Sequence, residues 1–282
     1  MVLCPRYEII KDKMASIIDN NPALRLQIEQ IAEVAGYLWE KGWAERNGGN
    51  ISVNLTELVG EETLTLPALL PPIGLGEPVT ALAGNIFYVT GTGKRMRYVA
   101  KAPFANGSII RVNDRGTAYE IIAEQPVMPT SELPSHLAMH NFLRARGVNN
   151  KVVLHTHPTD LIALSHCKPF MDSAYISRKL WAMIPECRII VPRGIGIIPY
   201  QLPGSMELAK ATIKELDKHD VVLWEKHGIL AVGEDLIECF DAIDTLSKSA
   251  QIYLCARQAG FEPEGMTDAQ LDDLVPAFNL PK

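Results

Sequence analysis

The sequence predicts an α/β protein organised as one domain. Three features carry that expectation: a helical repeat near the start, short β-branched runs through the middle, and helical patterns between and after those runs. No internal repeat and no linker-like stretch divides the 282 residues. That length suits one large domain or two small ones.

Residues 22–45 read as the first helix. Asn21 can cap it and Pro22 suits the first helical position, and Leu24, Ile28, Ile31, Val34, Ala35 and Leu38 recur at helical spacing. "RNGGN" breaks it, and "ISVNL" reads as a strand. Residues 60–84 are rich in Leu, Pro and Gly and follow no period; loops of that length are functional, partly structured or disordered. "NIFYV", "SIIRV" and "AYEII" read as strands. A helix follows "PTSELP", with Pro134 in its first turn. Next come a strand "KVVL", a short helix "LIALSH" and a strand "CRIIV". Residues 205–219 read as a helix capped by Ser205 with Glu207 in its first turn. "DVVLW" and "GILAVG" are strands around a tight connection, "EKHG". Asp235 and Glu238 resemble a capping box opening a last long helix, whose one face carries Leu236, Phe240, Ile243, Ala250 and Tyr253. "RQAGFEPEGMTD" then turns into a C-terminal tail.

Composition narrows the function. The chain is 47% hydrophobic and 21% charged, ordinary for a soluble globular protein. A net charge of −6 argues against nucleic acid as partner while leaving room for a local basic pocket for a small anion. No run of about 18 apolar residues offers a membrane span. The opening "MVLCPRYEIIKDKM" carries charges where a signal peptide needs an apolar core, so a cytoplasmic location is expected. The five cysteines (Cys4, Cys167, Cys187, Cys239, Cys255) are odd in number and form no CxxC pair. That fits a reducing compartment, with most of them small core residues.

The stretch "KVVLHTHPTD" carries the strongest chemical signal. Residues i and i+2 of a strand face the same side, so His155 and His157 can present two imidazoles to one point. That pair suits zinc, which needs a third ligand. His227, ending another apolar strand before Gly228, is the candidate. Three histidines leave a fourth position for substrate or water, the pattern of catalytic zinc. A bare HxH is a weak signal, and plain strand-end histidines are the alternative. His136 and His140, at i and i+4 of a helix, read as surface or packing residues, with His136 also placed near a candidate active site. His166 and His219 read as structural.

Three loops have the chemistry to hold an anion. "RNGGN" and "TGTGK" set glycines and hydrogen-bonding side chains at the ends of regular elements, where backbone N–H groups can converge, and Asn47, Asn50 and Thr92 add side-chain donors. Neither loop has Walker A or dinucleotide spacing; simple turn chemistry is the alternative. In "PTSELPSH", Thr130 and Ser131 precede a helix N-terminus. Glu132 beside them is either a helix-stabilising acid or, next to a metal and a phosphate, an acid/base. Glu186, in "PECRIIV", reads as a carboxylate at the lip of a strand.

Together and in this order, "ERNGGN", "TGTGK", "PTSELPSH", "HTH" and "WEKHG" resemble the class II aldolase/adducin family, over about residues 35–260. The doubled glycine, "MPTSELP", "ECRIIVPRGIGIIPY" and the 60–84 segment are most similar to its longer members, which act on L-rhamnulose 1-phosphate. The resemblance implies a three-layer-like domain with a central, mostly antiparallel sheet flanked by helices. It implies one Zn2+ per subunit on His155, His157 and His227. Asn47, Gly49, Asn50, Thr92, Thr130 and Ser131 would surround the substrate phosphate and its neighbouring hydroxyls, with Thr92 standing where the family has serine. Glu132 matches the catalytic carboxylate and Glu186 a second carboxylate near the aldehyde end.

The implied activity is reversible cleavage of L-rhamnulose 1-phosphate to dihydroxyacetone phosphate and L-lactaldehyde in L-rhamnose catabolism, by a homotetramer with no nucleic-acid or membrane partner. The rivals are another sugar-phosphate aldolase, an epimerase or a dehydratase using the same groups, a non-catalytic adducin-like interaction domain, and a simple zinc hydrolase.

Overall fold

Helix α1 (Pro22–Glu40) shows how local chemistry sets an element. Asn21 Oδ1 accepts from Leu24 N–H at 3.0 Å, Pro22 opens the first turn, and the six apolar positions at helical spacing are all buried. Burial of such a side chain contributes roughly 1.5–3 kcal/mol. The helix stops at Glu40 rather than 45, because Gly42 adopts φ +73° and its N–H turns back to Trp39 O. A glycine takes that left-handed conformation at little cost.

The computed structural model describes residues 20–123 and 125–281. Cys4 and the opening segment read above for a leader lie outside them. The chain divides into two compact units, one holding residues up to Leu154 together with Glu234–Leu236, the other His155–Gly233 and Ile237 onward.

The first unit carries α1, strands β1 (Asn50–Asn54), β2 (Ile73–Gly74), β3 (Ile86–Thr90), β4 (Gly107–Val112) and β5 (Ala118–Ile121), helix α2 (Leu133–Ala145), and the first three residues of β6 (Val152–Thr156). Its strands run in the order β2-β5-β4-β3-β1-β6. The pairs β1·β3, β3·β4, β4·β5 and β2·β5 are antiparallel, with Ser52 opposite Val89 and Tyr88 opposite Ile109. Arg111 and Glu120 face each other across β4·β5 and form an ion pair. The 60–84 segment is partly structured: a helical turn Glu61–Leu64, the two residues of β2 and a 3-10 turn Thr80–Leu82.

The second unit contains the end of β6 and then β9 (Gly228–Gly233), β8 (Val221–Trp224) and β7 (Ile195–Ile198), in that order. Strand β7 pairs parallel with β8, and β8 antiparallel with β9. A parallel pair needs a crossover, supplied by a helix over Met206–Leu216 whose Ser205 cap accepts from Leu208 N–H at 3.1 Å. The expected face of the helix Leu236–Gln258 is buried at Leu236, Phe240, Ile243, Ala250 and Tyr253. No helix among the described residues is long and apolar enough to cross a membrane.

Two expectations are corrected here, and three elements are new. "CRIIV" is not a strand but part of a helix, Pro185–Ile190; Pro185 in the first turn, Glu186 beside it and Arg188 in the last turn outweigh the β-branched run. The preceding helix Ser173–Trp181, capped by Asp172 accepting from Tyr175 N–H, and strand β7 were not expected. The C-terminal tail holds a helix, Asp268–Ala277, opened by a capping box between Thr267 and Gln270 that the sequence "TDAQ" spells out. Of the described cysteines only Cys187 and Cys239 are buried, while Cys167 and Cys255 are exposed.

Gly42→Ala places an L side chain at φ +73° with no atom within 4 Å to clash, so its cost is purely that of the backbone. Thermal unfolding of the variant is expected to show a loss of about 1–2 kcal/mol, a fall of several degrees; an unchanged melting temperature would mean that the helix end relaxes into another stop.

Candidate functional site

The end of β6 and the β8–β9 turn build a cluster of three imidazoles in the second unit. His155 lies on β6 and His157 one residue past its end, and their Nε2 atoms are 3.1 Å apart. His227 sits in the three-residue connection between Trp224 and Gly228, which face each other in the β8·β9 register. One ligand atom from each histidine lies within 4.8 Å of the others; His155 is buried, and the other two are half-buried.

The donor set fits a metal. His155 Nδ1 lies 2.9 Å from Ile229 O. A carbonyl only accepts, so Nδ1 carries the proton and Nε2 presents its lone pair. Tetrahedral zinc with Zn–N of 2.0–2.1 Å needs ligand nitrogens about 3.3–3.4 Å apart, close to the spacing of the first pair. Behind the cluster, Trp224 lies 4.5 Å from the His155 ring and 5.1 Å from His227. Its own ring is held by Trp224 Nε1 donating to Thr212 Oγ1 at 3.0 Å. The approach of β9 leaves no room at position 228: a Cβ there would meet Thr156 O at 2.6 Å and the His157 and His155 rings at 2.7 and 2.9 Å.

The three anion-suited loops come together in the first unit. Ile51 N–H donates to Thr90 Oγ1 at 3.1 Å, Thr130 N–H to Thr90 O and Thr92 N–H to Met128 O, both at 2.8 Å, and Gly91 bridges Pro129. The backbone amides of Gly48, Thr92 and Thr130 are therefore engaged by carbonyls. The side chains of Asn47, Thr92 and Ser131 are exposed. Gly49 is half-buried just before β1, and Asn50 is buried. Thr130 is half-buried, with its Oγ1 accepting from Glu132 N–H at 3.3 Å.

Glu132, half-buried at the N-terminal end of α2, is held by Asn50 Nδ2 donating to its Oε2 at 3.0 Å. His136 and His140 follow on the same helix face. They are not surface histidines: both are fully buried, and burial pushes each down to about 3, with the neighbouring His136 adding to the effect on His140. Both bind Ser52 Oγ, at 2.8 and 2.9 Å. The i, i+4 spacing was visible in the sequence; their partner Ser52, 84 and 88 residues away, was not.

Glu186 is exposed in the first turn of the Pro185–Ile190 helix, so it does not stand at a strand lip. His219 is tied by Nδ1 to Arg193 O at 2.7 Å, in keeping with a structural role, and His166 is exposed.

The family model for the class II aldolase and adducin N-terminal domain matches residues 29–254. A rhamnulose-1-phosphate aldolase of Bacteroides thetaiotaomicron is 52% identical over 95% of this chain and all of its own, and one from Enterococcus faecalis is 36% identical over 90% of this chain and 91% of its own. Among solved structures, a sugar-phosphate aldolase from Thermotoga maritima is 33% identical with a TM-score of 0.74, covering 86% of this chain and all of its own. With the family match spanning both the loops and the imidazole cluster, the chain belongs to the class II aldolase and adducin family and is a class II aldolase, a lyase of a metal-dependent class.

Proposed function

We propose that this protein catalyses the reversible cleavage of L-rhamnulose 1-phosphate to dihydroxyacetone phosphate and L-lactaldehyde. The observation that carries this reading is 52% identity, across 95% of the chain, to a relative bearing that activity's name. The three convergent imidazoles and the tethered carboxylate support it. The family match running unbroken over residues 29–254 supports treating the chain as one catalytic domain. An adducin-like interaction domain would have no use for three convergent imidazoles.

Cleavage takes the proton from the C4 hydroxyl, breaks the C3–C4 bond and leaves the electron pair at C3, which must be protonated to give dihydroxyacetone phosphate. Zn2+ held by His155, His157 and His227 would supply a Lewis acid for the charge that develops on the ketone oxygen. No lysine Schiff base is then required. Glu132 delivers the proton to C3 in the cleavage direction and removes it in condensation. One of its oxygens is fixed by Asn50, so the other is presented in a defined direction.

Asn47, Gly49, Asn50, Thr92, Thr130 and Ser131 hold the phosphate and the adjacent hydroxyls. A bound phosphate orients the chain and contributes remote binding energy. Glu186 is read as the second carboxylate, serving the aldehyde oxygen; its exposure suits a group that exchanges protons with water. The same reading makes the protein a cytoplasmic homotetramer, with exposed apolar side chains such as Leu202, Phe261 and Phe278 available for subunit contacts.

A coupled assay for dihydroxyacetone phosphate, run on L-rhamnulose 1-phosphate and L-fuculose 1-phosphate before and after chelation, tests the reading. Release favouring the rhamnulose ester, lost on chelation and restored by zinc, is expected; release from neither ester would discard it. Glu132→Ala should lower kcat by about 10²–10⁴-fold with little change in phosphate binding, and a raised KM with near-normal kcat would remove Glu132 from the proton step. Gly228→Ala pushes a methyl group into two of the three rings and should cost roughly tenfold or more in metal affinity, while His227→Ala should lose the metal. A metal titration reads the first, and full metal content in folded His227→Ala, by elemental analysis, would place the third ligand elsewhere.

A further inference from the structure

A single file of hydrogen bonds crosses the interior of the first unit and ends on Glu132. Asn150 Nδ2 lies 3.2 Å from His140 Nδ1, His140 Nε2 lies 2.9 Å from Ser52 Oγ, and Ser52 Oγ lies 2.8 Å from His136 Nδ1. His136 Nε2 lies 2.5 Å from Asn50 Oδ1, and Asn50 Nδ2 lies 3.0 Å from Glu132 Oε2. Apart from Glu132, every member is buried.

The direction of this file follows from its last link. A carboxylate accepts, so Asn50 turns its NH2 group to Glu132 and its carbonyl oxygen to His136. His136 must then carry its proton on Nε2, which leaves Nδ1 to accept from the Ser52 hydroxyl. Ser52 Oγ, having given its one proton, accepts from His140 Nε2–H. The remaining lone pair, on His140 Nδ1, accepts from Asn150 Nδ2. One assignment satisfies all five links, and it uses neutral imidazoles throughout. A reversed file would need a protonated imidazole or an Asn50 oxygen facing the carboxylate, and burial of the two rings opposes the first.

We propose that Ser52, His136, His140 and Asn150 are positioning residues that act through Asn50, a one-way hydrogen-bond file that fixes the orientation of the Glu132 carboxylate. This rests on the assignment of the proton step to Glu132. Each donor points toward the carboxylate, so neighbouring bonds polarise one another in the same sense. The side chains are locked by burial, and the imidazoles do not change charge as the carboxylate cycles. Asn50 is held from behind while it contacts Glu132 in front, so its amide cannot turn over. A carboxylate that must meet one carbon with one oxygen gains from such support, since misplacement by about 1 Å can cost on the order of 100-fold in rate.

The test has two arms. In the wild-type protein, 15N-histidine NMR reads the tautomer of each ring, with His136→Gln and His140→Gln spectra assigning the signals. Both rings are expected as the neutral Nε2–H form, unchanged between about pH 5.5 and 8. A Nδ1–H form or a protonated ring overturns the file, and this arm needs no substrate. In the kinetic arm, Ser52→Ala should lower kcat on L-rhamnulose 1-phosphate by roughly 10–100-fold with KM within about twofold. Ser52→Thr, which keeps a hydroxyl, should recover part of the loss. Unchanged kcat in Ser52→Ala overturns the proposal. Wild-type protein that does not cleave this substrate overturns the functional reading instead, and the tautomers then decide the file separately.

Discussion

The imidazole cluster depends on one missing side chain. Position 228 lies so close to β6 that any Cβ would press on the Thr156 carbonyl and on two of the cluster's rings. With glycine there, β9 runs tight against the strand bearing His155 and His157, and Ile229 O comes within 2.9 Å of His155 Nδ1. That contact selects the tautomer whose Nε2 is available to a metal. The same turn carries His227 into the cluster one residue earlier. A backbone approach thus determines both which histidines meet and which of their nitrogens face one another.

The carboxylate is supported by a different principle. Three imidazoles facing a metal must be partly open to exchange ligand and substrate. The groups behind Glu132 are instead closed off from water, and five hydrogen bonds join them to one another and to the carboxylate. Buried polar groups are costly when unpaired and rigid when fully paired. In the Asn150–His140–Ser52–His136–Asn50 series, every side-chain polar atom except Asn150 Oδ1 has a partner. Its two histidines are held neutral by burial, so they bring order without charge, while the acidic group at the end sits half-buried where it can exchange a proton.

The loop cluster around Thr90 and Thr130 shows how little of an anion site is visible from glycine content. Their amides tie the loops together, which aligns the side chains but engages the backbone donors that glycine-rich turns often offer an anion. The exposed side chains of these loops, Asn47, Thr92 and Ser131, carry hydroxyl and amide groups.

Much of this was written in local sequence. The cap at Asn21, the proline openings, the stripe of six apolar positions in α1 and the short apolar runs of the strands specify elements through short-range chemistry. HxH on a strand puts two rings on one side wherever that strand lies. Where local signals competed, the sequence was ambiguous: "ECRIIV" is β-branched, yet Pro185 and the charges at both ends make it a helix. Long-range meetings were decided only by the tertiary structure. Nothing near His136 announces Ser52, nothing near Glu132 announces Asn50, and nothing near Gly228 announces Thr156, because hydrogen-bond partners and steric limits between distant segments have no periodicity to read. The sequence by itself determined which chemical groups were available and where strands and helices would hold most of them. The packing of distant backbone segments decided which of those groups meet.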